Sequence, residues 1–217
     1  MIPVQIKALQ YIPNASRGLC DGLGLPYQTP SLALLTTDSD DVTYIALDEA
    51  TKAADVQVCY AKSFYAGAAN ASTPNAGEVI GILCAATPGA AKSGMEAAIS
   101  AIQKIGFDMV QDVPFLAHTI SSCGRFLSTE AGVPIGSALA YLIAPPLESM
   151  VGLDAALKAS DVRLCKLYAP PSETNFGGGL LTGTQSACIA ACDAFREAVS
   201  KVARNPTGPY KERNYGF

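Results

Sequence analysis

The sequence predicts an α+β protein made of two tandem domains of ferredoxin-like type, and three observations support this fold class. Residues 47–59 (LDEATKAADVQVC) and 153–165 (LDAALKASDVRLC) are identical at 8 of 13 positions with an offset of 106, which indicates an internal duplication. Each copy is ~105 residues long, near the common size of one domain. The predicted helices and strands of a copy match an α+β sandwich with the long helix last, a permuted version of that architecture. The boundary lies near Phe107–Asp108, which gives domains at 1–107 and 108–217.

The first copy predicts a regular series of elements. In chain order these are a strand at Pro3–Tyr11, a short helix at Asn14–Leu23, a strand at Ser31–Thr37, a helix at 44–54, a strand at Val56–Phe64, a long loop at Tyr65–Ala76 and a strand at Glu78–Ala85. Gly24 and Pro26 end the short helix. Thr87 and Pro88 predict the start of the closing helix, and Gly106 predicts its exit.

The second copy closes with a more clearly amphipathic helix. Thr184 is its predicted N-cap, and Asn205-Pro206 ends it. Apolar residues recur at steps of four, three, four and three and predict one buried stripe: Cys188, Cys192, Phe195, Val199 and Val202. The pair Cys188 and Cys192 has a spacing that could bind a metal, but soft metals need more ligands, so packing is favoured. Just upstream, Gly177-Gly178-Gly179 lacks the Lys-Ser/Thr of a phosphate loop and predicts a flexible loop.

Composition limits the classes of function. Hydrophobic residues make up 49% of the chain and charged residues only 16%, which favours a surface covered by self-assembly. The net charge is −4 without a basic cluster, so nucleic acid is not an expected partner. No apolar run is long enough to span a membrane, and the N-terminus lacks the layout of a signal peptide, so we expect a cytoplasmic protein. The seven cysteines show no CxxC spacing, which argues against a disulfide framework.

The sequence contains few candidate catalytic residues. His118 is the single histidine, so a metal site built on several imidazoles is excluded and a structural role is favoured. No GxSxG elbow accompanies it. The sequence therefore predicts no enzyme activity, no resident metal and no cofactor.

An acidic segment, Asp38-Ser39-Asp40-Asp41, is present in the first copy only. Its counterparts at the repeat offset are Ala144, Pro145, Pro146 and Leu147, so packing common to both copies does not require the carboxylates. One interpretation is capping and turn formation alone. The other is a carboxylate site for a cation or an amine. Calcium is a less favoured cation for such a site, because the spaced pattern of an EF-hand is absent.

Two long connections come after equivalent predicted strands. Residues 65–76 and 169–179 are small, polar and nearly uncharged, and both are longer than tight hairpin turns. Such loops can line an opening without trapping what passes, although simple surface loops would share the same composition.

Several segments together resemble one family, the L-type shell proteins of the ethanolamine-utilisation bacterial microcompartment. The resemblance runs from about residue 31 to residue 206 and lies in these segments: DSDDVTYIALDEATK (38–52), SFYAGAANASTPNAGEV (63–79), FLAH (115–118), YLIAPPLE (141–148), PPSETN (170–175), LTGTQ (181–185) and ARNP (203–206).

This resemblance implies an architecture and a ligand. The family has two tandem, circularly permuted microcompartment domains, and its homotrimers form pseudohexagonal tiles that meet other shell proteins at their edges. A central pore is gated by loops, which correspond here to 65–76 and 169–179. The family binds ethanolamine in a small subunit pore, at positions that match Asp40, Asp41, Glu78, Phe107 and Thr174. Carboxylates can neutralise an ammonium, an aromatic face attracts it, and a hydroxyl can take the alcohol.

Two other classes of function remain to be weighed against a shell protein. An enzyme could use the acidic segment and Glu78 as acid and base, but no nucleophile–base motif supports it. A cytosolic ferredoxin-like sensor of small amines would form discrete soluble oligomers, whereas a shell protein would form two-dimensional sheets.

Overall fold

The structure, a computed structural model, describes residues 1–25, 31–64, 73–170 and 172–208. Contacts divide the chain into two compact units, which are not single stretches of sequence. The first unit comprises Pro3–Gly106 and Cys123–Gly136, and the second comprises Met1–Ile2, Phe107–Ser122 and the chain from Ser137 onward. The tandem boundary at 107/108 stays a prediction.

The described residues form six helices and ten strands, which confirms the α+β class. In chain order they are β1 (Ile2–Pro3), β2 (Ile6–Ile12), α1 (Arg17–Leu23), β3 (Ser31–Thr37), α2 (Asp40–Ala53), β4 (Gln57–Ser63), β5 (Val79–Ala85), α3 (Pro88–Ile102), β6 (Gly106–Val110), β7 (Val113–Ile120), α4 (Arg125–Ala131), β8 (Ala138–Ala144), α5 (Pro146–Ala159), β9 (Val162–Tyr168), β10 (Gly177–Gly183) and α6 (Gln185–Arg204). None of these helices is long and apolar enough to cross a membrane.

The first unit is built on a four-stranded antiparallel sheet in the order β2-β3-β5-β4. The central strands β3 and β5 are almost wholly buried, and α2 and α3 pack against each other. Local chemistry sets the helix ends as expected. Thr87 caps α3 with Pro88 in its first turn, and Gly24 ends α1 with a φ of 66°, a conformation that glycine adopts without steric cost.

The second unit contains a six-stranded sheet in the order β1-β6-β7-β8-β10-β9, with α5 packed against α6. The predicted stripe of α6 is confirmed at four of its five residues, because Cys188, Cys192, Phe195 and Val199 are buried, whereas Val202 near the helix end is only half-buried. None of the seven cysteines, all of which the structure describes, forms a disulfide bond. His118 lies in β7, opposite Tyr141 of β8.

The structure confirms the duplication. The order β3-α2-β4-β5-α3 recurs as β8-α5-β9-β10-α6, with the same antiparallel pairing of the three strands. The two copies also share an irregularity in strand pairing. The register of β4 on β5 shifts between Val58 and Tyr60, and that of β9 on β10 shifts across Cys165. Cys59 and Cys165 therefore occupy the same β-bulge, the equivalence that their sequence match predicted.

Three local predictions were wrong. The helix predicted at 44–54 begins at Asp40, because Ser39 caps it and brings two carboxylates into its first turn. The closing helix ends at Ile102 with Gln103 as C-cap, and Gly106 is the first residue of β6 instead of the helix exit. Gly177-Gly178-Gly179 is not a loop but the start of β10, buried between β8 and β9. A Cβ at Gly178 would lie 1.9 Å from the carbonyl oxygen of Leu142, so close strand packing explains the glycines.

The segment around α4 comes after the domain boundary in sequence but packs in the first unit, against α2. The contact is polar at its centre. The carboxylate of Asp48 accepts hydrogen bonds from the backbone N–H groups of Gly124 (2.6 Å) and Leu127 (2.9 Å). Asp48 is fully buried, and this burial raises the pKa of its carboxyl. Because Gly124 has no side chain, Asp48 supplies the N-cap that α4 lacks.

Candidate functional site

The acidic segment starts a helix, and its carboxylates are not the cap. The side chain of Ser39 accepts the hydrogen bond from Val42 N–H (3.4 Å), which is the N-cap interaction. Asp40 and Asp41 are the first two residues of α2 and are 8% and 7% exposed. Their charges lie near the positive end of the helix dipole, which favours the ionised forms. Ser39, and not Asp40 or Asp41, is therefore the N-cap residue of α2.

Asp38 differs from its neighbours because the protein itself uses its carboxylate. One oxygen accepts the backbone N–H of Gln5 at 2.8 Å, and the other lies 3.6 Å from the Lys7 ammonium. These bonds connect the start of β2 to the end of β3. Asp38 therefore has a structural role.

Glu78 completes a carboxylate group at one end of the first sheet. It directly precedes β5, and its backbone is fixed on both sides, with its N–H donated to Thr37 (2.7 Å) and its carbonyl accepting from Phe64 (2.9 Å). Burial raises the pKa of Glu78, and the nearby charges of Asp40 and Asp38 raise it further. The Glu78 carboxylate therefore lies near the acidic segment, as the predicted site requires.

Asp40 and Glu78 both have a raised pKa, and Asp40 is the more buried of the two. Burial raises the pKa of its carboxyl, and hydrogen bonds from Ser63 and from backbone N–H groups partly oppose that rise. One oxygen accepts the backbone N–H of Asp41 at 2.9 Å. Neither Asp40 nor Glu78 forms an ion pair with a lysine or arginine of the described residues.

Two hydroxyl residues that the sequence did not predict support the group. Ser63, the last residue of β4, hydrogen-bonds to both Asp40 and the Tyr44 hydroxyl. Thr37 hydrogen-bonds through its Oγ1 to Thr43 (2.7 Å) and to the carbonyl of Ser39 (2.9 Å), which fixes the turn into α2. Serine and threonine at strand ends are common, so neither residue carries a distinctive signal in the sequence.

Thr174 and Phe107 lie in the second unit and are connected through Phe176. Thr174 belongs to a compact turn in which the Ser172 N–H donates to the Phe176 carbonyl at 2.9 Å. Its hydroxyl lies 3.3 Å from that of Ser172. The rings of Phe107 and Phe176 have centroids 6.0 Å apart. The predicted five residues thus form two groups, Asp40, Asp41 and Glu78 in the first unit and Phe107 and Thr174 in the second.

The chemistry of the first-unit group suits an organic cation better than a metal. Within the ranges that the structure describes, no three His, Cys, Asp or Glu side chains are arranged to hold a metal ion. Asp40 is buried and Glu78 is half-buried, both without a lysine or arginine partner among the described residues, and serine and tyrosine hydroxyls lie beside Asp40. Such a group favours a positive ligand that also donates hydrogen bonds. An ammonium ion has both properties.

The two long connections join equivalent strands, β4 to β5 and β9 to β10, as predicted. They span residues 64–78 in the first copy but only 169–176 in the second. Residues 65–72 and 171 lie outside the described residues. At the end of the first connection, Thr36 Oγ1 donates to the Asn75 carbonyl at 2.8 Å, and the Ala76 N–H donates to Thr73.

A family model, that of the BMC domain, matches residues 31–115. The match begins with β3, whose partner strand β2 precedes it, and ends inside β7, which pairs with β8 of the other sheet. The matched family domain therefore starts at β3 of the first copy and ends in a strand of the second copy. This is expected when the tandem copies are circularly permuted.

Full-length relatives have a common description. The chain is 53% identical to the bacterial microcompartment shell protein EutL of Clostridium perfringens, over 96% of this chain and 98% of the relative. The crystal structure of EutL from Clostridium perfringens superposes with a TM-score of 0.93 at 52% identity, covering 97% of both chains. The ethanolamine utilization protein EutL of Leptotrichia buccalis gives 0.92 at 57% identity, covering 95% of this chain and 97% of the other.

Proposed function

This chain belongs to the BMC-domain family, among the EutL shell proteins of bacterial microcompartments, and from that premise we propose that it binds ethanolamine and admits small metabolites through the shell. The protein is a structural component of the shell and not an enzyme, because its relatives are shell proteins over almost the whole chain. The proposal of ethanolamine rests on the description of the Leptotrichia relative and on the chemistry of the carboxylate group.

The proposed tile is a homotrimer with pseudo-sixfold symmetry. Each chain carries two copies of one fold, with proposed domains at 1–107 and 108–217, so three chains supply six similar wedges. Closed cyclic assemblies of this kind are common among homo-oligomers. Other shell proteins would meet the tile at its edges. Light scattering that gave a stable monomer at micromolar concentration would remove this part of the proposal.

One observation carries the ligand proposal: Asp40 is a buried carboxylate and Glu78 a half-buried one, and neither has an ion-pair partner among the described residues. Burying a charge is costly unless it is paired, so such a group favours a cationic ligand. Asp40, Asp41 and Glu78 would hold the ammonium of ethanolamine. The pKa values of Asp40 and Glu78 are raised by burial, which favours a cationic partner that would stabilise their ionised forms.

Phe107 and Thr174 would contribute the apolar and alcohol-binding parts of the site. Phe107 can offer an aromatic face to the cation, and the Thr174 hydroxyl can exchange a hydrogen bond with the alcohol. Phe176 supports this division, because its ring contacts Phe107 and its backbone closes the Thr174 turn.

The connections at 65–76 and 169–176 are proposed to gate a central pore around the threefold axis, without residues 177–179 of the predicted second loop, which belong to β10. Their support is that they are equivalent connections in the two copies, so a ring of three chains would place six of them in related positions. Ethanolamine could shift the gate only if it binds the open and closed states unequally. Modest affinity suits this role, because a pore must release what it binds.

Titration calorimetry with ethanolamine tests the site. We expect native protein to bind and Glu78→Gln to bind at least tenfold more weakly, because one charged hydrogen bond contributes about 1.5–3 kcal/mol. Glu96→Gln is the matched control, since Glu96 is exposed on α3 of the same unit and pairs only loosely with Lys92 (3.9 Å). Equal affinity in native protein and Glu78→Gln removes Glu78 from the site, and no binding to native protein removes the site.

The same titration has an expected pH dependence. Ammonium binding requires ionised carboxylates, and burial raises the pKa of both Asp40 and Glu78 in the free protein. The affinity should therefore start to fall at a higher pH than the ordinary pKa of glutamate, ~4.3, would predict. Affinity that stayed constant down to that pH would contradict a role for these two carboxylates.

A further inference from the structure

Helix α5 carries an apolar stripe that nothing in the described chain covers. Leu147, Met150, Val151 and Leu157 are 56%, 37%, 44% and 36% exposed, and with Asp154 they lie at helical spacing along one face. We call these five residues the α5 stripe. The buried residues of α5 are Ser149, Gly152, Leu153 and Ala156, on the opposite face. A contiguous exposed apolar stripe of this kind marks an interaction surface.

The repeat supplies a covered version of the same surface. At the offset of 106, the α5 stripe corresponds on α2 to Asp41, Tyr44, Ile45, Asp48 and Thr51. In the first unit, the segment around α4 contacts this surface. The Tyr44 and Phe126 rings have centroids 5.9 Å apart, the Arg125 N–H donates to Thr51 Oγ1 at 3.2 Å, and Asp48 accepts two backbone N–H groups of the α4 segment. Ile45 is fully buried, whereas its counterpart Val151 is not.

The element that covers α2 also has a repeat counterpart, and that counterpart is α1. Both helices have seven residues, both begin with arginine, and both end at a glycine with positive φ, Gly24 in one and Gly132 in the other. The face of α1 that corresponds to the contact face of α4 is exposed. Leu19 is 40% exposed, whereas its counterpart Leu127 is 1% exposed.

We propose that the α5 stripe binds helix α1 of a second copy of this chain, with Leu19 at the centre of the contact. The proposal rests on the proposed trimer and identifies the surfaces that close it. Each chain has one uncovered α5 stripe and one α1 helix with an exposed face. A closed ring of copies pairs every such stripe with an α1 helix, as a heterologous cyclic interface requires.

The chemistry of the two surfaces is consistent with apolar docking. Helix α4 has Gly124 as its N-cap residue and takes the Asp48 carboxylate as its cap, whereas α1 is capped by its own Ser16. The partner of α1 therefore need not supply a carboxylate, and Asp154, the counterpart of Asp48, pairs with Lys158 of its own helix instead. Accordingly, α5 presents Leu147 and Leu157 where α2 presents Asp41 and Thr51. On α1, Gly18 stands where α4 has Phe126, and a Cβ there would contact nothing, which leaves room for Met150.

Photo-crosslinking tests the contact directly. Val151 is replaced by p-benzoylphenylalanine in a mixture of unlabelled and ¹⁵N-labelled chains that have been unfolded and refolded together. We expect covalent dimers whose linked peptides carry different labels and include Leu19. The same photo-reactive residue at Ile189, an exposed position on α6, is the matched control and should not link to that peptide. Links only within one isotope, or only to other peptides, would overturn the proposal.

A substitution provides the second test. Val151→Asp buries a charge in the proposed contact, so we expect trimers to dissociate at least tenfold more readily in light scattering, with helical circular dichroism retained. Ile189→Asp should leave the assembly unchanged. If native protein is itself monomeric, both the proposed trimer and this inference are wrong. If native protein is trimeric and Val151→Asp is equally stable as a trimer, the inference alone fails.

Discussion

Helices α2 and α5 are the same element of the repeat in two different environments. Ten of the fourteen residues of α2 are buried, and these include Asp40, Asp41 and Asp48. Only four residues of α5 are buried, and its opposite face exposes leucine, methionine and valine. The same element of the repeat is thus covered within the chain in one copy and exposes an apolar face in the other.

The difference arises from the segments that come after each copy in the chain. The segment after the first copy includes α4, which folds back onto α2. After α6, the described residues contain no comparable helix that could cover α5. In the proposed ring, one such surface is filled within the chain and the other between chains. Selection on the two surfaces can then diverge.

The largest expected effect is at the buried carboxylate that joins α2 to α4. Asp48→Ala removes an acceptor from two buried N–H groups, so we expect the free energy of unfolding to fall by about 2–4 kcal/mol. The repeat counterpart provides the control. Asp154 is exposed and pairs with Lys158 one helical turn away, a pair of a kind that contributes about 0.3–0.5 kcal/mol. Asp154→Ala should therefore change little.

Chemical denaturation at one fixed protein concentration measures both variants, because assembly makes the apparent stability concentration-dependent. Similar losses in the free energy of unfolding for Asp48→Ala and Asp154→Ala would contradict the different roles of α2 and α5. Asp48→Asn should give an intermediate loss, since an amide oxygen can replace one carboxylate oxygen as acceptor but not both.

A smaller effect is expected on the inner faces of the two helices. A Cβ at Gly152 would lie 2.6 Å from the ring of Phe195, so α5 approaches α6 more closely than an alanine allows. Gly152→Ala should destabilise by about 1–3 kcal/mol through overpacking. The counterpart on α2 is Ala46, fully buried, where Ala46→Gly should cost about 1 kcal/mol through helix propensity. Thermal unfolding of both variants checks this, and a stabilising Gly152→Ala would contradict the close approach.

Most of the architecture was predictable because the repeat and the apolar patterns are local. Both ends of the strand Ser31–Thr37 were predicted correctly, and Cys59 and Cys165 were correctly predicted to occupy equivalent positions of the repeat. The start of α2 was missed because a run of aspartates is typical of a turn, and the capping role of Ser39 is evident only once the helix is known. The triple glycine was misinterpreted because strand packing density cannot be inferred from one sequence.

The candidate site was predictable in part. Asp40 and Glu78 lie close enough for the charge of Asp40 to raise the pKa of Glu78, while their role in binding stays a prediction. Ser63 and Asp48 were missed because their partners are distant in sequence, and no periodicity connects residue 48 with residue 124. The same limit applies to α4, whose packing on the first copy depends on tertiary structure alone.

The smallest stability effect is expected where the functional effect is largest. Burial raises the pKa of Asp40, so the ionised form is less favourable in the folded protein than in the unfolded chain. That penalty is present above the unfolded pKa and disappears as the pH falls below it. The helix dipole favours the same carboxylate by about 0.3–1 kcal/mol, and Asp40→Asn removes both contributions.

We therefore expect Asp40→Asn to unfold within about 1 kcal/mol of native protein at pH 7, because the two contributions oppose each other. The ethanolamine affinity of the same variant should fall at least tenfold, since a neutral amide cannot pair with an ammonium. Denaturation and calorimetry on one preparation measure both. A loss of several kcal/mol with unchanged affinity would assign Asp40 to the fold. A loss of affinity alone means that α2 keeps an unpaired buried carboxylate for its ligand, a role for which α5 has no equivalent residue.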